Sequence, residues 1–327
     1  MDSFIQWEVN LVQALQSLPG LQGVMTAFSF LGNEEFFLFV MPLLYWCLSP
    51  AVGARAAVLL IASNGLSNLL KVTFAWPRPY WMTEQVAAFD VETSYGQPSS
   101  HTLNATVMWG YLASAARRPW AWPAAIAVIV LIALSRVYLG MHFPSNLVGG
   151  WLFGGLLLGA FWRWGEGLAA RLARLGLGAQ LALALAVSLA YLGLGAVLLA
   201  LVPAPADLPL WAQTALAQTG EAITPRAPDS LVSTAGMVLG LGAGLALVRR
   251  HARFDAGGPL LQRALRFLLG VAGVAVLFLG LRAILPGGAD WLAQAGRYVR
   301  YALIVFWALY LAPLAFLKLR LAEPARA

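Results

Sequence analysis

The segment from Ser135 to Asn146, which reads SRVYLGMHFPSN, closes a long apolar run with an arginine, a histidine and an amide. Arg136 and His142 are costly at the end of a membrane helix, because hydrocarbon penalises such groups unless they have a partner or a function. The structural alternative is an arginine that snorkels to the interface and a histidine that packs there. This segment alone leaves both interpretations open.

The composition places this segment in a membrane protein. The chain has 327 residues, of which 60% are hydrophobic and 11% charged, and its mean hydropathy is +0.74. These values exclude an ordinary soluble domain. The net charge of +7 reflects topology, since Lys and Arg collect in cytoplasmic loops, and it does not indicate nucleic-acid binding. The single cysteine, Cys47, excludes an internal disulfide and a cysteine-based metal cluster.

Apolar runs long enough to cross about 30 Å of hydrocarbon recur along the chain. We therefore predict an all-α, polytopic membrane helix bundle with about nine transmembrane helices. When the spans alternate in direction, the arginine-rich loops share one face, which the positive-inside rule makes cytoplasmic. The N-terminus is then outside and the C-terminus cytoplasmic. The predicted spans are residues 30–48, 51–72, 100–116, 121–139, 146–163, 180–202, 231–248, 264–285 and 298–318.

The pattern divides the chain into three regions. Phe4 and Trp7 recur at helical spacing opposite polar residues, which predicts an interfacial amphipathic helix over residues 1–20. Residues 21–165 contain the polar clusters and form the predicted catalytic bundle. Residues 166–327 form an additional membrane region of four predicted spans, to which the sequence assigns no role.

Two more polar clusters lie upstream of Arg136. A polar stripe on the second span ends at Lys71, and Arg78 follows between two prolines that fix its backbone. The segment Pro98-Ser99-Ser100-His101 begins the third span, where serines are ordinary N-caps but also border a ready anion site. The aromatic and acidic loop between these clusters predicts an interfacial belt, with a substrate lid as the alternative.

The predicted topology puts all three clusters on one side of the membrane, because two spans separate His101 from Arg136. Three cations beside a serine-rich helix start describe a site for a small oxyanion such as phosphate. One neutral histidine can attack phosphorus while the other, protonated, donates to the leaving oxygen. No cluster of carboxylates accompanies them, so we expect no metal and no cofactor, with the fixed cations stabilising the transition state.

The three clusters resemble a known signature. Lys71-x₆-Arg78-Pro79, Pro98-Ser99-Ser100-His101 and Ser135-Arg136-x₅-His142-x₃-Asn146 are similar, in order and spacing, to the three motifs of the type 2 phosphatidic acid phosphatase family, which is related to vanadium haloperoxidases. The resemblance covers about residues 60–160.

The resemblance implies a role for each motif residue. His142 is the implied nucleophile, which forms a phosphohistidine, and His101 is the implied general acid. Asn146 stands where most members have an aspartate that orients the nucleophile, and an amide can fix the tautomer but cannot stabilise developing positive charge as a carboxylate would. Ser100 stands where the family usually has glycine. The implied ligands of the phosphoryl oxygens are Lys71, Arg78, Ser99, Ser100 and Arg136.

The same resemblance implies a metal-independent integral membrane phosphatase acting on lipid phosphomonoesters or diphosphates, such as phosphatidate, phosphatidylglycerol phosphate or polyprenyl diphosphate. The nine-span plan and the amide at Asn146 resemble the glucose-6-phosphatase branch, which makes a sugar phosphate the alternative substrate. A lipid phosphotransferase and a non-catalytic anion-binding membrane protein are further alternatives. Membrane lipid is an expected partner and nucleic acid is not, while the oligomeric state is left open.

The composition, rich in Arg, Ala, Leu and Gly, indicates a bacterium of high genomic GC content. The predicted location is the cytoplasmic membrane. The predicted active site faces the periplasm or the cell exterior.

Overall fold

The computed structural model describes residues 3–325, apart from the side chains of Glu34, Glu35 and Leu38. Within these residues the chain is helical, and its extended pairing is limited to an isolated bridge between Phe254 and Pro324. The predicted all-α class is therefore confirmed.

The helices follow the apolar runs of the sequence and end at its prolines, glycines and charged turns. In chain order they are α1 (Ser3–Gln16), α2 (Gln22–Phe30), α3 (Glu34–Pro42, continued by a π-helix over Leu43–Leu48), α4 (Pro50–Phe74), α5 (Pro79–Met82), α6 (Ser100–Ala116), α7 (Ala121–Tyr138), α8 (Pro144–Arg174), α9 (Leu177–Leu201), α10 (Leu208–Thr219), α11 (Asp229–His251), α12 (Leu260–Ile284), α13 (Trp291–Phe306, continued by a π-helix over Trp307–Leu311) and α14 (Ala312–Lys318).

Among the described residues, seven helical stretches are long and apolar enough to cross a membrane. The protein is thus a multi-pass helical membrane protein. Two of the predicted spans fall on shorter helices: span 100–116 is the 17-residue α6, and span 30–48 contains the apolar helix Phe39–Leu48. The number of nine spans and the direction of the termini stay predictions.

The first compact unit comprises Met1–Phe37, Leu66–Ala160 and Val197–Ala227. Its core contains Tyr80, Trp81 and Tyr95, each fully buried, and α10 packs on α5 with Trp211 near the ring of Trp81. The prediction of an interfacial belt in this loop is therefore wrong. The rings face the protein interior because α10, which lies far along the sequence, covers them.

Within the first unit, α8 lies close against α6. A Cβ added at Gly150 would lie 2.7 Å from Cβ of Thr102, and one added at Gly154 would lie 2.9 Å from Cβ of Thr106. Only small residues permit this approach. It brings the start of α8 to the start of α6, where the amide of Ser99 donates to the carbonyl of Asn146 at 3.1 Å.

The second compact unit comprises Leu38–Gly65, Phe161–Ala196 and Pro228–Ala327. Gly236 and Gly240 of α11 pack directly on the backbone of α13 at Tyr298 and Ala302. The boundaries predicted after residues 20 and 165 stay predictions.

Candidate active site

The turn after α7 fixes Arg136 and His142 beside each other. The carbonyl of Arg136 accepts hydrogen bonds from the amides of Met141 at 3.0 Å and His142 at 3.2 Å. Gly140 permits this turn because its φ of +78° is strained for any residue with a Cβ. The spacing of the third motif is thus a property of local backbone geometry.

Arg78 is fully buried and held by backbone carbonyls. Its guanidinium donates to the carbonyls of Ser94 at 2.6 Å, Met141 at 3.0 Å and Tyr95 at 3.2 Å. Its Nη1 also lies 3.2 Å from Nε2 of His142. Because arginine can only donate, Nε2 of His142 is the acceptor in this contact.

Arg136, also fully buried, contacts two carboxylates. Its Nη1 lies 2.7 Å from Oγ of Ser29 and 2.9 Å from Oδ2 of Asp90, and its Nη2 lies 3.0 Å from Oε1 of Glu92. Both carboxylates come from the loop between α5 and α6.

Glu92 lies among the cations of the site. Besides Arg136, its carboxylate lies 3.5 Å from Nη2 of Arg78 and 3.9 Å from Nδ1 of His101. Burial alone would raise the pKa of Glu92, but Arg78, Arg136 and Lys71 together lower this pKa below its usual range. An ionised carboxylate of the protein itself therefore occupies the position between the two buried arginines and a histidine.

Sequence reasoning did not select Glu92 or Asp90 as site residues. The sequence contains one signal for them: two carboxylates, two residues apart, lie between two motifs whose cations are predicted to lie inside a helix bundle. Buried cations are normally paired with an anion, so a nearby acidic loop is a natural source of that partner.

The second motif contributes its groups at the start of α6. Ser99 is the N-cap, whose Oγ accepts from the amide and the hydroxyl of Thr102 at 3.4 and 3.1 Å. Ser100 shares a hydrogen bond with Ser67 at 2.8 Å. Nε2 of His101 pairs with Oδ1 of Asn33, which leaves Nδ1 on the side of Glu92.

The two ring nitrogens of His142 have different surroundings. Nε2 faces Arg78, whereas Nδ1 is buried and has no hydrogen-bond partner among the residues that the structure describes. Burial, followed by the charges of Arg78 and Arg136, lowers the pKa of His142 well below its usual range. The imidazole is therefore neutral at neutral pH, as a nucleophile requires.

Asn146 supports the turn that carries His142. Its Oδ1 accepts from the amide of Phe143 at 3.0 Å, and its Nδ2 donates to Oε1 of Gln97 at 2.7 Å. Both hydrogen bonds run to the scaffold and neither reaches the imidazole. The predicted direct orientation of His142 by Asn146 stays a prediction.

We expect Asn146→Ala to lower the free energy of unfolding by about 1–3 kcal/mol, because it leaves the buried amide of Phe143 without an acceptor. Thermal unfolding in detergent measures this change. Asn10→Ala, on the exposed face of α1, is the control and should unfold like the wild type. Equal unfolding temperatures for Asn146→Ala and the wild type would contradict this role.

The structure brings the predicted site residues together within the first unit. Lys71 donates to Oγ of Ser94 at 2.8 Å, and the same hydroxyl accepts from Arg78 at 3.2 Å. The guanidinium of Arg78 contacts His142, and the carboxylate of Glu92 lies beside both Arg136 and His101. Ser100 takes part through Ser67, and Ser99 and Asn146 fix the helix start and the turn. The cations and histidines of the site are the kinds of group that chemistry on a multiply charged oxyanion needs.

Two segments of the chain match a known protein family. Residues 52–169 match the PAP2 superfamily, and residues 232–324 match the PAP2 superfamily phosphatase, transmembrane extension. The chain is 29% identical over 140 residues to sphingosine-1-phosphate phosphatase 1 of Rattus norvegicus, a match that covers 40% of this chain and 32% of the relative.

Two further relatives are named for other substrates. Lipid phosphate phosphatase delta of Arabidopsis thaliana is 31% identical over 156 residues, covering 42% of this chain and 38% of the relative. Glucose-6-phosphatase 3 of Mus musculus is 28% identical over 187 residues, covering 48% of this chain and 53% of the relative. The chain thus spans between a third and about half of the length of these relatives.

The two family matches together take in more than half of the chain, and the first contains all three motifs. The resemblance found in the sequence is confirmed: the chain belongs to the PAP2 superfamily.

Proposed function

We propose that this protein is a metal-independent membrane phosphatase that removes phosphate from a phosphorylated lipid through a phosphohistidine intermediate. One observation carries the proposal: the carboxylate of Glu92 is bound by two buried arginines beside His101. This carboxylate marks the position of an anion in the site. A phosphoryl group has the same charge sign and more oxygen acceptors, so it can replace Glu92 on these arginines.

The proposed reaction has two steps. In the first step the phosphoryl oxygens accept hydrogen bonds from the guanidinium of Arg78, which no longer donates to Nε2 of His142. The lone pair of Nε2 then attacks phosphorus. His101 donates a proton to the leaving oxygen, and the P–O bond to the lipid breaks. His101 then accepts a proton from a water molecule that attacks the phosphohistidine, which releases phosphate and restores His142.

A lipid substrate is supported by a cavity beside the third motif in the first unit. The cavity has a volume of about 480 Å³, and its wall is almost entirely apolar. It reaches Pro144 and Ser145, which directly follow the turn of His142, and its other walls include Phe4, Trp7 and Phe153. An acyl or prenyl chain fits such a wall. The relatives named for sphingosine 1-phosphate and lipid phosphate agree with this assignment.

A sugar phosphate is the second candidate. The likeness to glucose-6-phosphatase 3 covers 48% of this chain, compared with 40% and 42% for the two lipid phosphatases. The apolar cavity favours the lipid.

We place the site on the face of the membrane opposite the arginine-rich loops, as the positive-inside rule predicts. In Cys47→Ser protein, a cysteine introduced at Glu84 should react with a membrane-impermeant maleimide in intact cells. Protection in intact cells and labelling after lysis would reverse this orientation.

The test is phosphate release by the purified chain in detergent with excess EDTA. The substrates are phosphatidate, phosphatidylglycerol phosphate, a polyprenyl diphosphate and glucose 6-phosphate. We expect turnover of at least one lipid that survives EDTA and is faster than turnover of glucose 6-phosphate. Loss of turnover with EDTA would refute metal independence, and preference for the sugar would select the second candidate.

Two other outcomes would replace the proposal. A phosphorylated lipid product that accumulates with little free phosphate would identify a phosphotransferase. Saturable phosphate binding without turnover of any substrate would identify a non-catalytic anion-binding protein.

A further inference from the structure

The second unit contains a polar cavity of about 380 Å³ at the end of α12 and the beginning of α13. Arg282, Arg297 and Arg300 line it, together with Tyr301 and the backbone of Gly287 and Gly288. None of these residues belongs to the proposed active site. The cavity lies within residues 232–324, the part of the chain that matches the transmembrane extension.

The positive charge of this cavity is only partly neutralised. Arg297 forms an ion pair with Asp229 at 3.0 Å. Across the described part of the chain, neither Arg282 nor Arg300 has a hydrogen-bond or ion-pair partner. Two uncompensated guanidinium groups therefore share one cavity, where like charges repel unless an anion joins them.

Arg300 is positioned at the cavity by aromatic rings. Its guanidinium carbon lies 5.6 Å from the centre of the Phe278 ring and 5.5 Å from that of Tyr301. These cation–π contacts hold the side chain, and its N–H donors have no partner within the described residues. By contrast, the terminal nitrogens of the buried Arg266 guanidinium are paired, because they donate to the carbonyls of Asp255, Ala256 and Gly257 at 2.7–2.8 Å.

The neighbouring surface matches the headgroup level of a membrane. The cavity lies where α12, a helix long and apolar enough to span a membrane, ends. Ile284 and Trp291, beside it, are 80% and 79% exposed. Tryptophan and aliphatic side chains exposed at helix ends are typical of the interface, where lipid phosphates also lie.

We propose that the cavity binds the phosphate group of an anionic membrane lipid. The guanidinium groups of Arg282 and Arg300 donate to the phosphate oxygens, and Arg297 contributes charge while it stays paired with Asp229. The lipid chains lie along the exposed apolar side chains. The bound lipid is a structural ligand of the second unit and takes no part in the reaction.

The test compares the full-length wild type with the double variant Arg282→Gln/Arg300→Gln. The matched control is Arg171→Gln/Arg174→Gln, which removes two exposed arginines of α8 in the same unit. Each protein, purified in detergent, is titrated with phosphatidylglycerol, phosphatidylcholine or inorganic phosphate. Bound lipids are counted by native mass spectrometry, and unfolding temperatures are measured in parallel.

We expect wild type and control to retain one more phosphatidylglycerol than the double variant. Affinity at this site should fall about tenfold for each arginine removed, which corresponds to about 1.4 kcal/mol. Without lipid, the double variant should unfold at the wild-type temperature or above it, because the repulsion has been removed. Phosphate release from the best substrate should stay within about twofold of wild type, which shows that the variant is folded.

Equal retention of phosphatidylglycerol by wild type and double variant would overturn the proposal. Equal retention of phosphatidylcholine by the wild type would also overturn it, since the anionic headgroup would then be irrelevant. If inorganic phosphate stabilises the wild type as much as the lipid does, the cavity is a free-anion site and the lipid assignment is wrong. A lower unfolding temperature of the lipid-free double variant would show that the arginines only support the fold.

Discussion

Replacing His142 with alanine is expected to lower phosphate release by a factor on the order of 10⁴ or more, because the reaction loses its nucleophile. The neutral ring holds Nε2 3.2 Å from Arg78, where a bound phosphoryl group would meet it. The measurement is the initial rate of phosphate release in detergent with EDTA, on the best substrate of the panel.

His251→Ala is the matched control for this experiment. His251 is the third histidine of the chain and is exposed in the last turn of α11, so its removal should leave the rate unchanged. His142→Gln keeps a polar side chain opposite Arg78 and should be as inactive as the alanine variant while unfolding near the wild-type temperature. A rate above about a tenth of wild type in both His142 variants would refute the nucleophile assignment.

The role of His101 can be separated from that of His142 by changing the leaving group. A general acid matters less when the leaving oxygen is already a good leaving group, whereas a nucleophile is always required. His101→Ala should therefore recover much of its rate on p-nitrophenyl phosphate, and His142→Ala should not. If His101→Ala loses the same fraction of its rate on the lipid and on p-nitrophenyl phosphate, this division of roles is contradicted.

Replacing Arg136 with alanine is expected to destabilise the protein by about 3 kcal/mol and to abolish turnover. The side chain is fully buried, and its loss leaves the carboxylates of Asp90 and Glu92 without their nearest cation. Chemical or thermal unfolding in detergent measures the stability. The control is Arg118→Ala, because Arg118 is an exposed arginine of the same unit. This substitution should change the free energy of unfolding little.

The destabilisation by Arg136→Ala should depend on pH. The cations lower the pKa of Glu92 in the folded protein. The ion pair therefore stabilises the fold above the unfolded carboxyl pKa of about 4.3, and this stabilisation is lost as the pH falls through the lower, folded value. The difference in the free energy of unfolding between the variant and the wild type should be largest at neutral pH and smaller in acid. A difference that does not vary with pH would show that packing, rather than charge, accounts for the loss.

Glu92→Gln tests whether the carboxylate of Glu92 occupies the anion position beside the two arginines. In the Arg136→Ala background it should restore part of the lost stability, because it removes the uncompensated charge. By itself it should strengthen inhibition by inorganic phosphate, since phosphate no longer competes with a carboxylate for the two arginines. Weaker phosphate inhibition in Glu92→Gln would show that Glu92 does not occupy the anion position.

The sequence by itself determined the membrane class, the helical fold and the residues of the three motifs. It could do so because these properties are local. A long apolar run can satisfy its backbone only as a helix in lipid. The turn from Arg136 to His142 is closed by its own backbone hydrogen bonds around Gly140, so the spacing alone already placed the two side chains together.

Only the tertiary structure decided which groups surround these residues. Glu92 contacts Arg136, which is 44 residues away in the sequence, and Asn33 contacts His101, which is 68 residues away. Contacts at such separations produce no periodic pattern in the sequence. The prediction of an interfacial belt for the aromatic loop is wrong for the same reason, because α10, which covers its rings, begins more than a hundred residues later in the chain. The hydrogen bonds of Asn146 to Phe143 and Gln97 also follow only from the folded turn, and the predicted orientation of His142 by Asn146 stays a prediction. Burial and pairing depend on contacts between distant segments, and those contacts exist only once the helices have packed.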